Sequence, residues 1–299
     1  MKKIILLLVT ITLFFAGVNA QDVLTPENMN SVYKKAKHHN KKVQKYVPLR
    51  QADIMWSRKI WREIDMRQKI NHPFYYPEND GDADLTADRK SLIDVIYSAI
   101  QEGSITAYGN AARDDEFREV MSAADAKKIG GAKEEMVESL DWDKIDAGFA
   151  EEEATMMKLD KKSFNRNIVK KWRLKEEWFF DKQRSIMDVR IIGLAPLGED
   201  KDEVTGELTG GFSPLFWVYF PEAREVLINA EVFNLVKNNA ERRTYDDVFW
   251  KRMFASTITK ESGVMDRKIN EYMVGLDALL EAERIKTEIF NIEHDLWEY

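Results

Sequence analysis

Two pairs of adjacent carboxylates are the residues of this sequence whose types could carry acid–base chemistry. They are Glu176-Glu177 and Asp246-Asp247. Glycoside hydrolysis needs two carboxylates at a defined separation on either side of the scissile bond. Adjacent side chains on a helix point about 100° apart, which is more typical of a helix surface than of a catalytic pair. A carboxylate-dependent hydrolase acting on cell wall or glycan is therefore the alternative hypothesis.

Other groups that carry chemistry are scarce in the sequence. The chain has no cysteine and 4 histidines, so thiolate nucleophiles, disulfides and cysteine-based metal sites are excluded. His38 and His39 are neighbours, and neighbouring side chains on an extended segment diverge. The sequence contains no His-Glu-x-x-His motif, no phosphate-binding glycine loop and no Gly-x-Ser-x-Gly elbow. We therefore expect no catalytic residue, no metal site and no cofactor.

Tryptophan and arginine next to charged residues are the more prominent pattern. The chain has 8 tryptophans, and tryptophan, tyrosine and arginine dominate the residues that carry binding energy in protein interfaces. Core packing is the ordinary explanation for any one of them, but eight are more than we expect the core alone to use. The residues predicted to form a partner interface are Trp56, Trp61, Trp178, Asp181, Arg184, Asp188, Arg190, Arg242, Arg243 and Trp250.

The N-terminus predicts export. Lys2 and Lys3 precede a mostly apolar run at residues 4–16, and small residues at 18–20 suit a signal peptidase. We interpret residues 1–20 as a signal peptide, because the run is shorter than the roughly 20 residues of a membrane span. Removal of Lys2 and Lys3 from 45 basic and 52 acidic side chains leaves a net charge of −9. A nucleic-acid partner is therefore not expected.

A basic arm follows at residues 21–48. It contains six lysines on both sides of His38 and His39. We interpret it as flexible or loosely docked. Two alternatives stay open, a solvated tail and an arm that lies on an acidic neighbour or on anionic lipid head groups.

Residues 49–165 are predicted to be a helical part. Apolar residues at three- and four-residue steps predict a helix over 49–70, and a second helix is predicted over 91–102, with Gly103 in the position of a left-handed cap. A further helix is possible at 114–129. The stretch near 111–162 is rich in charge and is predicted to be a linker.

Residues 166–299 are predicted to be an α+β part. Strands are expected at 185–195 and 215–220, forming a β-ribbon over 185–220, with a possible third strand at 225–229. Helices are expected at 240–254 and 273–297. The last of these is predicted to turn four residues inward, namely Leu276, Leu279, Leu280 and Ile285. The predicted fold class is α+β, mostly helical, with a small antiparallel ribbon or sheet in the C-terminal half.

Several separate motifs resemble, in the same order, those of the gliding motility GldN/PorN family. In the first half they are MWS (55–57), WR (61–62), KINHP (69–73), YYP (75–77) and GSITAY (103–108). In the second half they are EEWFFDKQRSIMDVRIIGLAP (176–196), LFWVYFPE (215–222), NAEVFN (229–234), ERRT (241–244) and EHDLWEY (293–299). The similarity spans residues 49–299 and is weakest at 111–162.

The resemblance implies a periplasmic component of the type IX secretion system. Members of the family assemble into a ring with an outer-membrane lipoprotein of the GldK/PorK type, and contact the periplasmic region of a GldM/PorM-type motor protein. The chain would then be held peripherally at the outer membrane through its lipoprotein partner. The family has no known catalytic residues to transfer. Our first hypothesis is a non-enzymatic ring subunit; the glycan hydrolase is the second, and a soluble binder of exported cargo is the third.

Overall fold

A seven-stranded antiparallel sheet organises the part of the chain that the structure describes. The computed structural model describes residues 41–77, 89–109, 115–128, 133–140, 155–162, 166–201, 208–233, 238 and 241–295. These residues belong to one compact unit, Lys41–Tyr299. The predicted signal peptide and residues 21–40 of the predicted arm lie outside the described part. Within it, no helix combines the length and the apolar character needed to cross a membrane.

Strands and helices alternate irregularly along the chain. The strands are β1 Ile54–Asp65, β2 Ala107–Tyr108, β3 Lys133–Leu140, β4 Thr155–Lys162, β5 Val169–Asp181, β6 Ile186–Lys201, β7 Leu208–Pro214, β8 Trp217–Tyr219 and β9 Thr257–Glu261. The helices are α1 His72–Tyr75, α2 Leu92–Gln101, α3 Ala123–Lys128, α4 Phe220–Leu227, α5 Tyr245–Trp250 and α6 Leu276–Asp295. Short 3₁₀ turns occur at Gln51–Asp53, Lys69–Asn71, Arg166–Ile168 and Ile269–Glu271.

The main sheet joins the two halves of the chain. Its strand order is β2-β8-β6-β5-β1-β9, with β7 paired to β6. Every pairing in this sheet is antiparallel. β3 and β4 form a separate two-stranded sheet within the stretch predicted to be a charged linker.

The prediction of a mostly helical fold is wrong, and β1 shows why. Residues 49–70 were expected to be a helix, but they contain a twelve-residue strand. Alternate side chains of this strand share one face of the sheet, namely Trp56, Arg58, Ile60, Arg62 and Ile64. Trp61 lies on the other face and is also buried. Because β1 is an inner strand with apolar residues on both faces, its pattern lacks strict alternation and imitates a helical period.

Local signals in the sequence predicted several other elements correctly. The Ser91 side chain accepts a hydrogen bond from the Asp94 amide and caps α2, and Gly103 follows that helix at φ 75°. β6 and α6 also form where strand and helix were expected. The strand expected at 225–229 is wrong, because α4 begins at Phe220 with Pro221 in its first turn and occupies that stretch.

Three apolar clusters pack on the sheet, and the smallest joins Trp61, Ala195 and Trp217. The largest one joins strand residues Ile64, Trp172 and Leu194 to residues of α2, α4 and α5. The second one lies between α6 and the strands β1 and β9, where Ile60 and Ile258 pack against Ile285 and Ile289. The predicted inward face of α6 is therefore mostly wrong. Ile285 is fully buried, whereas Leu276, Leu279 and Leu280 are exposed.

Candidate protein-binding surfaces

The first carboxylate pair is split by the sheet. Glu176 and Glu177 lie on β5 rather than on a helix, so their side chains point to opposite faces. Glu176 is completely buried, and its carboxylate lies 3.0 Å from the Arg252 guanidinium. The same carboxylate accepts a hydrogen bond of 3.2 Å from the Trp178 indole. Glu176 is therefore the buried partner in an ion pair with the partly exposed Arg252.

The second carboxylate pair serves local structure as well. The buried guanidinium of Arg224 donates two hydrogen bonds to Asp246, of 2.7 and 3.1 Å. Asp247 forms a capping box with Thr244 at the start of α5. Among the described residues, no group of three or more histidine and acidic side chains is placed to hold a metal ion. These contacts give Glu176, Asp246 and Asp247 roles in the folded structure.

An aromatic and arginine cluster forms where the N-terminal strap, residues 41–50, lies on the domain. Tyr46 stacks on Trp250 with ring centroids 5.3 Å apart. The guanidinium carbons of Arg224 and Arg190 lie 4.6 Å and 5.0 Å from the centre of the tyrosine ring. Both are within the range of an attractive cation–π contact. We call Arg190, Arg224 and Trp250 the tyrosine cage.

The same arginines hold the backbone of the strap. Arg224 donates a hydrogen bond of 3.0 Å to the Gln44 carbonyl, and Arg190 donates one of 2.6 Å to the Val47 carbonyl. Burial in this cage raises the pKa of Tyr46 above its usual value, with the nearby arginines acting in the opposite direction. Arg190 and Trp250, both predicted to face a partner, thus contact the chain's own N-terminal segment.

Sequence reasoning missed Tyr46 and Arg224. Both contribute as much to this cluster as the two residues that were predicted. A tyrosine in a lysine-rich arm and an arginine in a short helix carry no spacing signal. Only the fold brings positions 46, 190, 224 and 250 together.

The turn between β5 and β6 gathers three further residues of the predicted interface. Arg184 donates a hydrogen bond of 2.6 Å to Asp181 and another of 3.3 Å to Asp188. The hydrogen bond from Arg184 is the main reason that the pKa of Asp181 is lowered. Asp181 is buried, whereas Arg184 and Asp188 are partly exposed at the end of the hairpin.

Of the remaining predicted tryptophans, Trp56 and Trp178 are half-buried and Trp61 is buried. Trp56 and Trp178 border the cluster beneath α6, with Arg58 and Arg252 respectively over their rings. Trp61 is buried on the other face of β1 and donates a hydrogen bond of 2.7 Å to Asp115.

Arg242 and Arg243 lie near the start of α5. Arg242 pairs with Glu231, and Arg243 pairs with Glu241 and reaches the Met253 sulfur at 3.8 Å. The ten predicted residues therefore lie in several places and do not form one continuous patch. Their role in binding a partner stays a prediction.

A second exposed surface comes from α6. Its outward side carries large apolar residues, although its other side is firmly packed on the sheet. The exposed fractions are 70% for Leu276, 56% for Leu279, 60% for Leu280 and 64% for Phe290. Clustered apolar residues of this kind are typical of sites that contact other macromolecules.

The described residues form an antiparallel-sheet domain with an aromatic and arginine cluster at the strap and exposed apolar residues on α6. A family model described as "Gliding motility associated protein GldN" matches residues 49–298. The chain therefore belongs to the GldN family, a family of structural components of gliding motility and type IX secretion. No curated protein shows significant similarity to the chain.

Proposed function

We propose that this chain is a non-enzymatic structural subunit of a periplasmic ring that serves type IX protein secretion and gliding. Its partners in that ring are an outer-membrane lipoprotein of the GldK/PorK type and further copies of the chain. The periplasmic region of a GldM/PorM-type motor protein contacts the same assembly. The chain associates with the outer membrane peripherally, through the lipoprotein.

The family match carries this proposal. It extends over residues 49–298 and therefore includes the whole main sheet and the helices that cover it. Two observations support it further. Three of the four candidate carboxylates, Glu176, Asp246 and Asp247, are engaged in ion pairs or a helix cap. At the cage, Trp250 is 45% exposed. On α6, leucine and phenylalanine side chains are exposed.

Co-purification with the lipoprotein tests the proposal directly. The wild-type chain and the lipoprotein are co-expressed, the lipoprotein is captured through an affinity tag, and the recovered chain is quantified. We expect a stable complex that elutes from a sizing column far ahead of either protein alone. Failure of the wild-type chain to bind the lipoprotein would contradict the proposal.

Two substitutions locate the contact. Arg190→Glu reverses a charge at the cage, and we expect it to reduce recovery of the chain while leaving its circular dichroism spectrum unchanged. Arg67→Glu is the matched control, since its side chain is 77% exposed in the turn after β1. Trp178→Ala was an attractive probe from sequence, but Trp178 borders the cluster beneath α6, so its effect on folding must be measured first.

Incubation with purified sacculi tests the enzyme alternative. We expect no release of soluble fragments from the wild-type chain. Release that disappears in Glu177→Gln or Asp247→Asn would overturn the structural assignment, because it would show that one of these carboxylates takes part in hydrolysis.

A further inference from the structure

The outer face of α6 is a continuous stripe rather than a scatter of exposed residues. Positions 276, 279, 283, 286 and 290 recur at steps of three and four, so their side chains follow one side of the helix. A different side of the helix carries Ala278, Ala282, Ile285 and Ile289, all buried against the sheet. Single exposed leucines are ordinary on a protein surface. Three leucines and a phenylalanine on the free side of one long helix indicate that something covers it.

The stripe has an internal symmetry. Leu279 and Phe290 are equidistant from a point between residues 284 and 285, and so are Glu283 and Lys286. If two such helices lie antiparallel about that point, Leu279 of each copy meets Phe290 of the other. The same register places Glu283 of each copy opposite Lys286 of the other. This antiparallel arrangement therefore makes two apolar contacts and two contacts between an acidic and a basic side chain.

We propose that the outer face of α6 binds the outer face of α6 in a second copy of this chain. The contact is a two-fold, antiparallel helix pair centred between residues 284 and 285. A two-fold interface requires one surface that is complementary to itself, and the pairs Leu279 with Phe290 and Glu283 with Lys286 meet that requirement. Interdigitation of side chains on facing helices is the usual way that such stripes pack.

The charged pair within one chain is compatible with this contact. Glu283 and Lys286 form an exposed ion pair of 2.9 Å along their own helix. Both side chains are more than half exposed, so they are free to reorient toward a facing helix at little cost. The proposal goes beyond the ring subunit proposed above, because it assigns a face and a symmetry that lipoprotein binding does not require.

Sedimentation equilibrium on the purified full chain over a range of concentrations is the first test. We expect a reversible monomer–dimer equilibrium for the wild type. Leu279→Glu places one charge in each of the two symmetric apolar contacts. The dissociation constant of the dimer should rise by at least about tenfold. Ile70→Glu is the matched control, because Ile70 is 50% exposed in a turn outside α6. A monomeric wild type, or a dimer that Leu279→Glu leaves intact, overturns the proposal.

A charge exchange tests the register. Glu283→Lys and Lys286→Glu each place like charges opposite one another in a homodimer, so each variant alone should dimerise about tenfold more weakly. A mixture of the two variants puts two lysines on one copy and two glutamates on the other. Both intermolecular pairs are then attractive, and the dimer should return. Mixing cannot restore the ion pair within a chain, so failure of the mixture to dimerise contradicts the antiparallel register.

Discussion

Tyr46 and Trp250 stack with their ring planes 23° apart, although they are about 200 residues apart in the chain. This contact fastens an extended segment that precedes the region matched by the family. The strap forms no regular secondary structure, so side-chain contacts must hold it in place. The cage therefore decides whether residues 41–50 stay on the domain.

Tyr46→Ala should release the strap. The substitution removes one aromatic stack and two cation–π contacts, each worth roughly 0.5–1.5 kcal/mol. We expect a loss of about 1–2 kcal/mol in the free energy of unfolding, measured by urea denaturation, and faster tryptic cleavage after Lys45. Tyr46→Phe keeps the ring and should differ little from the wild type. Equal losses in both variants would show that the hydroxyl, not the ring, holds the strap.

Glu176→Gln should destabilise the fold strongly. Glu176 is fully buried, and its replacement leaves the Arg252 guanidinium, which is 28% exposed, without its carboxylate partner. We expect a loss of about 2–4 kcal/mol in the free energy of unfolding. The matched control is Glu177→Gln on the other face of the same strand, which should cost less than about 0.5 kcal/mol. A difference of this size in urea denaturation would identify Glu176 as a folding residue.

The buried hydroxyl of Tyr245 should make the folded protein less stable at alkaline pH. The hydroxyl is buried beside the carbonyls of Pro73 and Lys90, at 3.0 and 2.9 Å. Burial raises the pKa of Tyr245 well above the ordinary value of 10.0, and Asp94 adds to the shift. The folded state therefore keeps the neutral form, whereas the unfolded chain releases the proton near pH 10. Stability from this group is complete below pH 10 and falls as the pH rises further.

Tyr245→Phe separates this effect from general alkaline unfolding. The variant should lose about 1–2 kcal/mol at pH 8, because buried carbonyls lose their donor. Its free energy of unfolding, measured by urea denaturation, should then fall less between pH 9 and pH 11 than that of the wild type, by up to one proton's contribution of about 1.4 kcal/mol per pH unit. Parallel pH profiles for the two proteins would contradict the assignment of a raised pKa to Tyr245.

The sequence predicted elements whose signals are local. The Ser91 cap, Gly103 and the period of residues 92–100 are all contained within one helix, and α2 forms there. β1 could not be recognised in this way, because its partners lie far away. Arg58 faces Trp178 on β5, and Trp61 faces Lys260 on β9. Pairing across 120 to 200 residues decided between helix and strand, and no window of the sequence contains that information.

Residue type indicated which side chains make contacts, but it did not indicate which residues they contact. Arg190 and Trp250 were identified as contact residues because arginine and tryptophan often bind other proteins. Arg190 meets Tyr46 from 144 positions earlier in the chain, and sequence spacing cannot report such a contact. The leucines at 276, 279 and 280 of α6 were assigned to the wrong side of the helix for a related reason. A helix with apolar residues on two sides gives no single answer to which side faces the core.

Alanine substitutions on the two sides of α6 test which side packs on the sheet. Ile285 is completely buried beneath the helix, so Ile285→Ala should remove apolar contacts and leave a cavity, at a cost of about 2–4 kcal/mol. Leu280 is 60% exposed on the outer face, so Leu280→Ala should cost less than about 0.5 kcal/mol in the monomer. Urea denaturation at low protein concentration gives both values without a contribution from self-association. If Leu280→Ala were the more damaging change, the helix would face the sheet with its leucine side and the outer stripe would not exist.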